Sequence, residues 1–379
     1  MKVIERIIEH QISSLMEQNK VILILGTRRV GKTFLINTLQ KNYGFPYISL
    51  NGEDFDVQEL LKHRSIANYK RIIGDNRLLI VDEAQAIQNV GLCLKLMIDT
   101  NPNLTIIATS SSSLDLVNKT GEPLTGRHTQ FNLYPLSQLE LNGVENYLET
   151  KQNLEERLIY GSYPEIVNLN TNEEKSSYLL QLVQSYLLKD ILVYAGIKHA
   201  DKIVNLLRLI AYQVGSEVSY AEIGSQLGMN RLTVENYLDL LSKVFIIYKL
   251  PSYSSNQRKE VSKGSKWYFF DNGIRNAVIN DFRMTALRND TGAIWENYLL
   301  AERIKRNKYL NHNKQLYYWR NYNKQEIDLV ELQDGQFNTF EFKYAPNNRI
   351  KLPNSFASSY PNSTFECISR ENYLEFICR

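Results

Sequence analysis

The stretch VILILGTRRVGKTFLINTL, residues 21–39, decides the fold. It begins as an unbroken apolar run, which reads as a buried strand, passes through a glycine-bounded loop, and leaves with apolar residues at helical spacing. Within it Gly26, Gly31, Lys32 and Thr33 satisfy G-x-x-x-x-G-K-[ST]. In such a loop the backbone N–H groups cradle phosphates, the lysine reaches the outer phosphates, and the threonine hydroxyl holds magnesium. A phosphate-binding run of Gly26, Thr27, Arg28, Arg29, Val30, Gly31, Lys32, Thr33 and Phe34 is therefore expected. A surface glycine loop would match the pattern by chance, but without a strand before it and a helix after it. Arg28 and Arg29 lie inside the loop and can face nucleotide, DNA or a partner.

The run RLLIVDEAQAI, residues 77–87, supplies the second element. Leu78 to Val81 form an apolar strand that delivers Asp82 and Glu83 to its C-terminal end, where a parallel sheet binds its ligands. Asp82 is placed to hold magnesium through its water shell, and Glu83 to orient and polarise an attacking water. An Asp-Glu pair can also cap a helix at a strand-to-helix junction, a use that the phosphate loop upstream makes the weaker reading. A third strand, LTIIATSSS from Leu104, ends in serines. Thr109 and Ser110 stand where a γ-phosphate sensor belongs, or are ordinary loop residues after a strand. In GEPLTGRHTQFNLYPLS, residues 121–137, Arg127 follows a glycine. It reads as an arginine finger on another subunit's nucleotide in a homo-oligomer, or as a surface salt-bridge residue.

Taken in order, GTRRVGKT (26–33), the strand ending in VDEAQ, the serine-rich strand, LTGR (124–127) and GSYPEI (161–166) resemble a widespread family of prokaryotic ATPases. These carry an AAA-like P-loop domain followed by a C-terminal domain of unknown function, and the likeness runs over essentially the whole chain. The resemblance implies ATP as the nucleotide. It also implies a sheet in which the serine-rich strand separates the Asp-Glu strand from the phosphate-loop strand, and it implies little about biological role.

A chain of 379 residues suits two or three domains. Hydrophobic residues are 43% and charged residues 22%, as in soluble globular proteins, and no stretch approaches the ~20 apolar residues of a membrane helix. The first twenty residues, MKVIERIIEHQISSLMEQNK, interrupt their apolar positions with charges, unlike a signal peptide. Cys93, Cys367 and Cys378 lack the spacing of a zinc site or a disulfide framework, which points to the cytoplasm and to no membrane partner. A net charge of +3 makes any nucleic-acid footprint local.

From Leu154 to Ala195 the pattern is helical and resembles the small lid that follows such ATPase cores, with GSYPEI expected to pack lid on nucleotide domain. Next, DKIVNLLRLIAYQVG, SYAEIGSQLGM and NRLTVENYLDLLSKVFIIYKL read as three helices, the last running into a strand. This is a winged-helix pattern, with Arg231, Thr233 and Asn236 on the part that would enter a DNA groove and QRKEVSKGSK (257–266) as a basic wing. Residues 197–290 hold 13 Lys/Arg against 9 Asp/Glu. That excess is small, and such modules also serve as structural adaptors.

Close to the C-terminus, QEIDLVELQDGQFNTFEFK (325–343) turns at Asp334-Gly335, a strong hairpin signal. With those two residues as the loop, Asp328 faces Glu341 and Glu326 faces Lys343. All four then share one face, and Ile327, Leu329, Phe340 and Phe342 take the other. Glu326 against Lys343 is an ordinary cross-strand ion pair. Asp328 against Glu341 is unfavourable unless a cation bridges the carboxylates or one is protonated. Asp328 followed by Glu341-x-Lys343 resembles the PD-(D/E)xK nuclease fold, which implies a metal between the carboxylates, Lys343 as their partner, and a helical acid, here Glu296. Isoleucine precedes Asp328 where that motif has proline. The alternative is a charged face used for binding or domain contact.

The expected architecture is α/β. It comprises a P-loop NTPase parallel sheet (1–150), a helical lid (151–196), a winged-helix middle (197–290) and a restriction-endonuclease-like α/β end (291–379). Magnesium-dependent ATP hydrolysis gating a nucleic-acid-directed C-terminal activity is the leading functional expectation. An ATP-driven switch or partner-remodelling ATPase that only binds DNA or protein is the other.

Overall fold

The computed structural model describes residues 3–112, 124–187, 200–254, 264–347 and 349–379. Positions 257–263 of the basic segment and 188–196 of the helical stretch lie outside the described residues. The chain falls into two compact units, one of Glu5–Tyr134 with Lys243–Phe245, the other chiefly of Pro135–Ser242 and Ile246–Arg379.

Five parallel strands form the sheet of the first unit: β1 (Val21–Leu25), β2 (Tyr47–Asn51), β3 (Leu78–Asp82), β4 (Thr105–Ser110) and β5 (His128–Asn132). Their order is β2-β3-β4-β1-β5, so the serine-rich strand does lie between the Asp-Glu and phosphate-loop strands. β1, β3 and β4 are buried along almost their whole length, as Val/Ile/Leu runs are in a parallel sheet covered on both faces. Leu23, Leu79 and Ile106 share a core with Leu94 and Met97 of the helix Val90–Thr100. The ladder sets Leu25 beside Ser110 and Val81 beside Ala108. The phosphate loop, Asp82 and the serines therefore leave the sheet at one edge.

The second unit begins at Pro135, just after β5. Its helices Ala200–Tyr212, Tyr220–Leu227 and Arg231–Lys243 accompany a three-stranded antiparallel sheet of β6 (Glu217–Val218), β7 (Ile247–Pro251) and β8 (Ser265–Phe269) in the order β6-β8-β7. Within this unit the Ser162 N–H of GSYPEI donates to Asp271 at 2.8 Å. Asn297, on the helix Thr291–Tyr309, accepts from the Phe269 N–H at 2.7 Å and donates to the Phe269 carbonyl at 3.0 Å.

The C-terminal sheet contains β9 (Gln315–Arg320), β10 (Glu326–Gln333), β11 (Gln336–Phe342) and β12 (Thr364–Ile368), ordered β12-β11-β10-β9 with β12 parallel to β11. Its hairpin has the expected register, from Gln333 opposite Gln336 to Leu329 opposite Phe340. Strict alternation fails further along. A bulge against β9 lies between Ile327 and Val330, so these residues, three apart, pack in one cluster with Phe356. Both faces are covered: Asp328 is buried along with Ile327, Leu329, Phe340 and Phe342.

Candidate functional site

At the shared edge of the first sheet, Gly31 ends the phosphate loop at φ 97°, a left-handed conformation that glycine adopts without strain, and caps the helix Lys32–Asn42. The loop and that helix N-terminus aim N–H groups and a positive dipole end at one point. Lys32 is buried, and its Nζ donates to the Gly26 and Thr27 carbonyls at 2.9 and 3.1 Å. Arg6, which the sequence reading passed over, is also buried. Its guanidinium donates to the Val30 and Tyr134 carbonyls, each at 2.7 Å, bracing the loop from its far side. An arginine among helix residues carries no motif, so nothing in the sequence marks it. Arg28 pairs with Glu53 at 3.4 Å, Arg29 sits at φ 65° and is exposed, and Phe34 is half exposed.

Asp82 organises the edge. One carboxylate oxygen accepts from the Thr33 hydroxyl at 3.0 Å, and the other accepts from the Thr109 hydroxyl. Glu83 follows in a left-handed conformation at φ 48°. Its N–H donates to Thr109 Oγ1 at 3.0 Å, and its Oε1 lies 3.9 Å from Lys32 Nζ. A Cβ on Gly52 would meet the Glu83 carbonyl at 2.4 Å, so only glycine lets β2 approach so closely. Thr109 thus touches both Asp82 and the Glu83 backbone. Ser110 instead turns its hydroxyl to the Ser112 backbone and lines the strand end only. Arg127 is elsewhere: it precedes β5 at the opposite edge of the sheet, with its carbonyl bonded to the Val21 N–H and its Nε donating to Asp99 at 2.6 Å. The salt-bridge reading describes this placement, and a finger role would act on another subunit's nucleotide.

The sequence-predicted acids of the second unit also come together, with an uninvited cation among them. Lys266, on β8, is buried, and its Nζ lies 2.5 Å from Glu326 and 3.4 Å from Glu296. Tyr268 donates to Glu296 at 2.5 Å. The expected Glu326–Lys343 pair is replaced: Glu326 pairs with Lys266 and Arg320, and Lys343 binds Glu341 on its own strand at 2.8 Å. Asp328 accepts from the Phe342 N–H at 2.8 Å. Burial, then the Glu296 and Glu341 carboxylates, push the Asp328 carboxyl well above its ordinary range. Burial likewise raises Glu296, with Lys266 and Tyr268 pulling the other way. Burial by itself would lower Lys266, but Glu296, Glu326 and Asp328 outweigh it and hold the ammonium charged.

Beside Glu341, Asp328 has a raised carboxyl, a bond from the Phe342 N–H and the nearby Lys266 ammonium to offset the crowding of carboxylates. Among the described residues no group of three or more His, Cys, Asp or Glu side chains is arranged to hold a metal ion. Lys266 sets a positive charge among Glu296, Glu326 and Asp328.

Comparisons with known proteins match three successive segments of the chain. Residues 18–142 match an AAA domain, 151–285 a domain of unknown function (DUF8612), and 291–371 another domain of unknown function (DUF4143). An uncharacterized protein of Haemophilus influenzae is 26% identical over 285 residues, 68% of each chain. One from Methanocaldococcus jannaschii is 27% identical over 351 residues, 86% of this chain and 75% of that one. Among solved structures, the Walker-type ATPase of Pyrococcus abyssi has 16% identity and a TM-score of 0.48, over 73% of this chain and 96% of that one. The RuvB Holliday junction branch migration motor of Thermotoga maritima has 17% identity and a TM-score of 0.31, over 65% and 90%. The first unit is an AAA-type ATPase domain. No described helix is long and apolar enough to cross a membrane.

Proposed function

We propose that this ATPase is magnesium-dependent, with Thr33 and Asp82 holding the ion, Lys32 the outer phosphates, and Glu83 the attacking water. The observation that carries the reading is Asp82 bonded at once to Thr33 and Thr109, with Glu83 beside Lys32. A hydroxyl and a carboxylate are oxygen ligands of the kind magnesium takes, so the residues fit the ion. Bound there with ATP, it would neutralise charge on the phosphate oxygens. Glu83 accepts a proton as the water oxygen bonds to the γ-phosphorus, and the bond from that phosphorus to the bridging oxygen breaks with its electron pair leaving on ADP. Thr109, bonded to Asp82 and to the Glu83 N–H, reports the γ-phosphate to both acids. Steady-state turnover and ATP binding of Glu83→Gln test this. Binding near wild type with kcat down by about a hundredfold or more is expected, and wild-type turnover would refute the mechanism.

For the second unit, the buried Lys266 favours a protein that binds over one that cuts nucleic acid with a metal. The exposed face of the helix Arg231–Lys243 points the same way. Beside Arg231 and Asn236 it presents Leu232, Glu235 and Asp239, and two carboxylates repel a phosphate backbone. A protein partner, switched or remodelled with the ATP cycle, therefore suits this face better than DNA. Three free thiols, one buried and two half-buried, suit the cytoplasm.

A further inference from the structure

Glu83 is the group whose placement the hydrolysis reaction depends on, and one neighbour governs it. Gln85 lies two residues on, in the single 3₁₀ turn Ala84–Ala86 that follows β3. Its amide Nε2 donates to Glu83 Oε2 and also to Ser111 Oγ at 3.2 Å, just beyond the end of β4. The amide orientation follows from chemistry, because the reversed amide would set its oxygen against the Glu83 carboxylate, acceptor against acceptor. With the nitrogen so committed, Gln85 Oε1 is buried and has no hydrogen-bond partner. Buried acceptors are rarely left so, because an unmade bond there costs free energy.

We propose that Gln85 is a positioning residue for ATP hydrolysis. It clamps one oxygen of the Glu83 carboxylate, ties that carboxylate to the end of β4 through Ser111, and offers Oε1 as a second acceptor for the attacking water. The backbone of Glu83 is already fixed from two sides, by the Thr109 hydroxyl on its N–H and by the close approach of Gly52 to its carbonyl. What remains free is the side chain. Gln85 holds Oε2, which leaves Oε1, the oxygen nearer Lys32, to take the proton. A water between Glu83 Oε1 and Gln85 Oε1 gives one hydrogen to each, which aims its lone pair away from both. Only the proton on Glu83 transfers, and the bond to Gln85 orients without breaking. Because Ser111 follows Thr109 and Ser110, a shift of the strand end on γ-phosphate binding reaches Glu83 through the amide as well as through the backbone.

This rests on Glu83 as the base, so the test runs Gln85→Leu and Gln85→Glu alongside Glu83→Gln, in the full chain. Gln85→Leu keeps the shape and removes both polar atoms. Its kcat should fall by about ten- to hundredfold, as when a bond to a charged group is lost, with ATP affinity within about twofold. The loss should fall on kcat with the KM for ATP unmoved, a split that a merely structural role would not give. Gln85→Glu, which keeps the shape but sets a second carboxylate beside Glu83, should lower kcat at least as far. Unchanged kcat in Gln85→Leu, or a loss of kcat with ATP affinity lost in parallel, overturns the proposal. If Glu83→Gln turns over normally, the base assignment fails and takes this proposal with it. If Glu83→Gln is slow while Gln85→Leu is not, only the role of Gln85 is lost.

Discussion

Two centres in this chain join carboxylates to a buried lysine, and they do opposite things with it. In the AAA unit Lys32 binds carbonyls of its own loop and stands 3.9 Å from Glu83, close to the point at which the loop aims its N–H groups. In the second unit Lys266 is already matched to Glu296 and Glu326 and sealed from water. A lysine held by neutral carbonyls can exchange them for phosphate oxygens at modest cost. One held by carboxylates in a low-dielectric pocket gains nothing by leaving. On the function proposed above, similar ingredients serve a nucleotide site in one unit and a scaffold in the other.

The largest expected effects separate the two lysines directly. Lys32→Ala should weaken ATP binding by about a hundredfold or more, since it deletes the charge that meets the outer phosphates. Titration with a fluorescent ATP analogue reads this, and near-normal affinity would break the contrast. Lys266→Met should leave the ATP affinity of the folded protein alone and cost about 3–5 kcal/mol of stability, because it strands buried carboxylates without their cation. Denaturant unfolding reads that loss. A variant of Lys266 as stable as wild type, and newly able to bind manganese, would restore the metal-centre reading.

How much of this was legible in the sequence follows the same line. The strand ends carrying the phosphate loop, Asp82 and Glu83 could be read because each is a short local pattern of strand and loop, while the strand order followed from the family resemblance. The hairpin register was legible for the same reason, from Asp334-Gly335 alone. What escaped lies far off in sequence. Lys266 reaches the C-terminal acids from 60 residues upstream of Glu326, and Arg6 reaches Val30 from the first helix. The bulge between Ile327 and Val330 is set by pairing with β9, and alternation within a strand cannot reveal it.

A smaller effect comes from pH. Asp328 has its carboxyl raised in the folded protein, so the native state holds a proton that the unfolded chain releases. Stability from this group is full below the ordinary value of 3.8 and is lost as pH rises towards the folded value. Glu331 has the opposite sign: burial pushes it up, but bonds from Arg303 and Lys314 prevail and hold it at about 2, so its contribution falls away on acidification. Asp328→Asn keeps an acceptor for the Phe342 N–H and removes the titration. Compared with wild type, it should gain stability as pH rises above 4 in melting experiments. A relative loss as pH rises would mean that Asp328 is ionised and held by a cation.

The smallest effect is expected at the lysine that the motif itself would single out. Lys343 has a side chain 41% exposed and pairs with Glu341 along one strand, so Lys343→Ala should cost no more than about 1 kcal/mol. Its motif position says it should matter more than Lys266, and its surroundings say it should matter less. Equal losses of stability for Lys343→Ala and Lys266→Met would mean that the acids share their counterions. A small loss for Lys343 beside a large one for Lys266 assigns the cluster its internal cation, and leaves the lysine of the D…ExK pattern as a half-solvated neighbour rather than the partner of a metal.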